Sequence, residues 1–161
     1  MTMKRRLATA ATVAVMAGIL QTGAVAASNG RGFHLDLPSW GFTGGVCLAF
    51  DGDGDCTLAV VTADGVVAGT IDGTGAYHAD LVVDFSPGGD CNIVDETDSF
   101  AFASGTVFVH SHHEDCRIHG NRIDTDFTIT GGTGAYAGAS GGGKELGNGG
   151  APIRYNGRFD H

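Results

Sequence analysis

Basic side chains are scarce in this chain: nine Lys and Arg stand against 18 Asp and Glu, for a formal charge of −9. Three of the nine, Lys4, Arg5 and Arg6, precede an uncharged run, so the remainder from residue 27 carries −12 (−9 less three positive charges). Such a surface repels nucleic acid and anionic lipid, which sets both partner classes aside. The short motifs of several large enzyme classes are also missing. There is no nucleophile elbow and no phosphate-cradling glycine loop with its lysine, and Gly73-x-Gly75 lacks the βαβ surroundings of a dinucleotide fingerprint. None of the four cysteines has the close Cys-x2-Cys spacing, which argues against a zinc thiolate site. Proline is rare, at three residues, and helical periodicity nearly absent; glycine, at 28, is abundant.

The N-terminus has the organisation of an export signal. Lys4-Arg-Arg6 leads into Leu7–Ala27, which holds no charge, and Ala24-Val-Ala26 supplies the small-x-small pattern before a cleavage point. The sequence therefore predicts a signal peptide over residues 1–26 and a secreted, extracellular domain over 27–161, free of the membrane after cleavage. Its 135 residues (161 − 26) suit one domain. Cys47, Cys56, Cys91 and Cys116 all fall in that domain, and an even number in a small exported chain predicts two disulfides. Three pairings are open. Cys47–Cys56 with Cys91–Cys116 is favoured, because each bond closes a modest loop between neighbouring strands.

Glycine-interrupted, β-branched segments with turn signals between them predict an all-β barrel or sandwich. The expected strands are Gly32–Leu37, Gly44–Phe50, Thr57–Thr62, Val66–Ile71, His78–Phe85, Asp98–Ala103, Thr106–His112, Asp124–Thr130 and Ile153–Phe159. Asp64-Gly65 reads as a hairpin turn, and Gly138–Gly150, almost free of apolar side chains, as a flexible loop. Alternation is clear where Phe127 and Ile129 oppose Asp124, Asp126, Thr128 and Thr130, and where Leu81, Val83 and Phe85 share one face. Gly73-Thr-Gly-Ala-Tyr77 recurs as Gly132-Thr-Gly-Ala-Tyr136 and reads as one strand-end turn used twice.

The stretch Phe127-Thr-Ile-Thr-Gly-Gly-Thr-Gly-Ala-Tyr-Ala-Gly-Ala-Ser-Gly-Gly-Gly143, preceded by Asp98–Val109, resembles the late-barrel signature of the allene oxide cyclase-like and dirigent-like superfamily. The resemblance implies an eight-stranded antiparallel β-barrel, commonly a homotrimer, with an apolar cavity reached from one end. Members of that superfamily cyclise an unstable epoxide or steer radical coupling, and an exported bacterial relative demethylates a phenazine through tautomerisation. It implies a small apolar or aromatic partner and no cofactor. The shared residues are a fold signature, and fold alone does not establish chemistry.

The densest group of reactive side chains is His110-Ser-His-His-Glu-Asp-Cys116. His110 and His112 share a face with Phe108, while Val107 and Val109 face the other way. If Phe108 points inward, both imidazoles line the cavity and can move protons, with His78 as a third member; if the valines do, the histidines decorate the outside. Two histidines at i, i+2 with a carboxylate can also hold zinc or another transition metal, and an oligomer contact is a further reading. Glu114, Asp115, Asp95, Glu96 or Asp98 could assist. Tyr77 and Tyr136 are candidate end-plugs or substrate contacts together with Phe108. Asp51, Asp53 and Asp55 offer three carboxylates to calcium, but Cys56 and Thr62 stand where a calcium loop needs glycine and glutamate, so a plain acidic turn competes. Two function classes follow: a small-molecule isomerase, cyclase or demethylase, and a non-enzymatic binding or structural module, calcium-stabilised or not.

Overall fold

The computed structural model describes residues 30–87, 90–116, 120, 122–148 and 152–160. The expected signal peptide lies outside the described residues. Eight antiparallel strands close into a barrel in simple up-and-down order. They are β1 (Arg31–Phe50), β2 (Cys56–Gly69), β3 (Gly73–Asp84), β4 (Cys91–Phe102), β5 (Gly105–Cys116), β6 (Arg122–Gly132), β7 (Ser140–Asn148) and β8 (Ile153–Asp160), with a 3-10 turn at Gly134–Tyr136. Closure comes from β8 pairing with β1 between Arg31 and Leu37.

The strand forecast needs three corrections. Gly32–Leu37 and Gly44–Phe50 belong to one strand, bent by register shifts after Asp36 and after Phe42. Asp64-Gly65 is not a turn: it lies mid-strand in β2, paired to Gly41 and Trp40 on one side and to His78 and Tyr77 on the other. A Cβ on Gly65 would sit 2.4 Å from the Ser39 carbonyl oxygen, so this glycine permits close approach of the β1 bulge rather than a reversal of the chain. The supposed loop at 138–150 contains β7. Its Gly143 passes so close to β8 that a Cβ would lie 2.0 Å from the Asn156 carbonyl oxygen. The missing side chains let Phe127 fill the interior above this seam, its ring 5.5 Å from that of Tyr155.

The two Gly-Thr-Gly-Ala-Tyr segments also differ in use. The first starts β3 and carries Tyr77 into the interior, whereas the second leaves β6 through Gly134 at φ 59 into the 3-10 turn. Tyr136 is therefore a plug, packed against Phe102 and Phe159 at ring distances of 6.2 and 6.4 Å. Asp72, itself at φ 69, accepts hydrogen bonds from the Ser104 amide and hydroxyl, tying two turns together beneath it. The barrel is thus sealed at this end. Phe33, Phe100, Phe127, Tyr155 and Phe159 fill the half above the seal.

Both favoured cysteine pairs are bonded, Cys47–Cys56 and Cys91–Cys116, as an oxidising compartment allows. Beyond Leu37, β1 pairs only with β2. This ribbon continues past the barrel wall with Val46, Leu48 and Phe50 exposed at 65%, 56% and 64%.

Candidate functional site

Alternation along β4 and β5 decides which side chains enter the barrel. Val94, Phe100 and Phe102 are buried on β4, and Glu96 and Asp98 lie in phase with them. On β5 Val107, Val109 and Ser111 are buried, besides the disulfide-bonded Cys116 at the strand end, and this phase places His113 inside and turns His110, His112 and Phe108 outward. The cavity placement considered for His110 and His112 is therefore not the one adopted. The β5 valines, backed by Phe127 and Ile129 of β6, win the interior because their burial is the larger apolar gain. On the outer face the two imidazoles share Asp95, at 3.2 Å from His110 and 3.3 Å from His112. Slight burial works against the Asp95 charge, but these two hydrogen bonds outweigh it and hold the carboxyl below its ordinary value.

His78 is likewise outside. It bonds Asp64 at 2.7 Å and lies 3.7 Å from Asp80, and the Asp64 hydrogen bond raises its pKa. Asp51, Asp53 and Asp55 lie in the exposed turn between β1 and β2. One oxygen of Asp51 accepts the amides of Asp53 and Asp55, each at 2.9 Å, so this carboxylate shapes its own turn. Of the residues singled out from the sequence as substrate contacts, Tyr77 alone lines the interior cavity; Phe108 is outside and Tyr136 is at the sealed end.

The cavity opens at the end opposite Tyr136, beside the Cys91–Cys116 bond, and measures about 360 Å³. Trp40, Phe42, Val61, Leu81, Val83 and Ile123 are among its apolar walls. Deeper in, Tyr77, Glu96, His113 and Glu145 present the polar atoms. Strand register brings them together: Glu96 lies opposite Ser111 on β5, and Glu145 lies between Thr125 on β6 and Tyr155 on β8. The Tyr77 hydroxyl donates to Glu96 at 3.1 Å, and the Tyr155 hydroxyl donates to Asp98 at 3.0 Å.

Glu145 is fully buried, and neither of its carboxyl oxygens has a partner at hydrogen-bonding geometry. Burial, followed by the nearby Glu96 charge, pushes its carboxyl up to about 8, against a weaker pull from the Ser111 and Tyr155 hydroxyls. Asp98 is driven well above its ordinary value first by burial, then by the charges of Glu96 and Glu145. Burial lowers the pKa of His113, against the pull of Glu96 and Asp115. At neutral pH the site thus holds a protonated Glu145 beside a neutral His113 whose Nδ1 is also buried without a partner.

The sequence contained one usable signal for this cluster. In Val94-x-Glu96-x-Asp98-x-Phe100-x-Phe102 the carboxylates fall on the apolar phase of the alternation, where a purely structural strand would keep residues like its neighbours. Glu145, set among glycines, offered no such phase. No described protein family matches the chain, and no curated protein or solved structure matches it either.

Proposed function

We propose that this barrel is an exported binder of a small apolar or aromatic molecule and acts on it by proton transfer, as an isomerase, cyclase or tautomerising demethylase. The observation that carries this reading is the cavity of about 360 Å³, apolar-walled and open at one end, with an unpartnered Glu145 at its inner end. That volume lies in the range of small-molecule sites, and a few convergent polar groups on an apolar wall are what such sites use for orientation. An isomerisation or cyclisation leaves composition unchanged, so it needs one group to give a proton and another to take one; a demethylation adds a step in which water takes the tautomer's methylene carbon off as formaldehyde and the ring is left reduced by two electrons. Glu145 is the donor and neutral His113 the acceptor, with Tyr77 and Glu96 holding the guest's polar atoms.

A non-enzymatic module whose barrel is filled by its own side chains is disfavoured because the interior packing stops at Phe100, Tyr155 and Tyr77. The exposed Val46, Leu48 and Phe50 on the β1–β2 ribbon support association with further copies of the chain, in line with the expected trimer.

The test is a thermal-stabilisation screen of aromatic and lipid-like metabolites, run with chelator present, on the native chain and on Leu81→Trp. Leu81 lines the cavity as the cross-strand neighbour of Glu96, so the larger ring takes up the space that a guest molecule needs. Hits that stabilise the native chain and fail on Leu81→Trp are expected. Hits that stabilise both equally, or a broad library with no hits, overturn the reading.

A further inference from the structure

We propose that Glu96, His113 and Glu145 form a binding site for one divalent transition-metal ion of the zinc class, facing the open cavity. Their ligand atoms all lie within 4.8 Å of one another. They come from three strands, β4, β5 and β7, whose register is set by the barrel, so the set is organised before any ion arrives.

Proximity of acids alone would not single out a cation. The additional observation is that Glu145 is completely buried with both oxygens unpartnered, and that the His113 Nδ1 is buried and unpartnered as well. Buried polar atoms are nearly always satisfied, and groups left bare at a cavity are the ones a ligand meets. Two carboxylates and one neutral imidazole around a dication make a set with no net charge, which removes the main penalty for burying the acids. The donor set also narrows the ion. An imidazole nitrogen with two carboxylate oxygens favours zinc, cobalt, iron or manganese over calcium, which takes six to eight oxygens. The Tyr77 hydroxyl, donating to Glu96 at 3.1 Å, would orient that ligand. Three protein ligands leave coordination positions directed at the cavity, open to water or to an oxygen or nitrogen of a guest molecule. The other three-residue group of donors among the described residues, Cys91, Glu114 and Cys116, has its sulfurs tied up in the disulfide.

This inference stands on the cluster and not on the small-molecule reading. The ion takes the place of the Glu145 proton, so the proton-loaded and metal-loaded barrels are two states of one site.

The experiment uses untagged, disulfide-intact protein dialysed against chelator and then titrated with Co²⁺, followed by visible absorption, with Zn²⁺ competition read by calorimetry. Glu145→Gln, His113→Ala and an outer-face triple variant His78→Ala/His110→Ala/His112→Ala are titrated alongside, each first checked for a native far-UV spectrum. One equivalent of Co²⁺ with d–d absorption, displaced by Zn²⁺, is expected for the native chain and the triple variant. Glu145→Gln, which keeps the shape of the side chain, should weaken binding by at least ~100-fold, the upper end of what losing a residue that only supports a ligand would cost. Binding that disappears with the outer histidines, that survives Glu145→Gln, or that is matched by Ca²⁺ overturns the proposal, as does no binding at all. Failure of the aromatic screen with chelator present would leave the metal result standing, and the reverse also holds.

Discussion

Replacing Glu145 by glutamine should make the chelated protein more stable in alkali, an unusual outcome for a fully buried position. Burial raises the Glu145 carboxyl from its ordinary 4.5 to about 8. Between those two values the folded chain holds a proton that the unfolded chain has released. Stability therefore falls as pH rises through the window, by about 1.36 kcal/mol for each pH unit fully inside it. Across the window the loss is on the order of 5 kcal/mol as an upper bound, because water reaching in from the open end relieves part of the burial. A glutamine side chain has the same shape and no ionisation, so the Glu145→Gln variant avoids this loss. Asp98 and His113 titrate in both chains, so the difference between the chains reports Glu145 together with the part of the Asp98 shift that the Glu145 charge causes. The assay is urea unfolding of both proteins from about pH 4.5 to 8.5, disulfides intact and chelator present. The curves of stability against pH should diverge upward from about pH 5, with the variant ahead by several kcal/mol at about pH 8.5. Parallel curves, or a native chain more stable than the variant at the alkaline end, would refute the burial argument.

Other outcomes follow from the same structure. The Cys91–Cys116 bond spans 25 residues and the Cys47–Cys56 bond spans nine; on the chain-entropy argument, serine at both positions should cost roughly 3.5 and 2.7 kcal/mol respectively, read by denaturant midpoints. Tyr155→Phe removes the hydroxyl that donates to buried Asp98 and should cost about 1–3 kcal/mol with little change in far-UV spectrum. His110→Ala with His112→Ala should change stability by less than about 1 kcal/mol, because these exposed imidazoles pair with Asp95 in water, and ligand stabilisation should be unchanged. Leu48→Lys on the exposed ribbon should shift sedimentation toward smaller species if copies associate there, and leave the thermal midpoint nearly unchanged.

The contrast between β5 and β7 explains why the site was only half legible. On β5, Val107, Val109, His110 and His112 were visible as alternatives, but Phe108 made the run apolar at consecutive positions and period two could not choose between phases. The choice belongs to neighbours far away in sequence: Val109 pairs with Ile129 and Ser111 with Phe127, and those partners are already committed to the core. Once that phase is chosen, His113 must be inside. On β7 the pattern carries few side chains to read. Its glycines look like a loop in isolation and become a strand only because β6 and β8 press on both sides.

Local chemistry along the chain was enough for the all-β class, the acidic surface and the preference for the cysteine pairing observed, since each depends on composition or on residues close in sequence. The closed eight-stranded antiparallel barrel, expected from a resemblance over residues 98–143 and not from local pattern, is the fold observed. Which end is sealed, and the meeting of Glu96, His113 and Glu145, came only with the tertiary structure. Those three residues are brought within reach of one another by strand register around a closed cylinder, and register is a property of pairs of strands, which no single segment can encode.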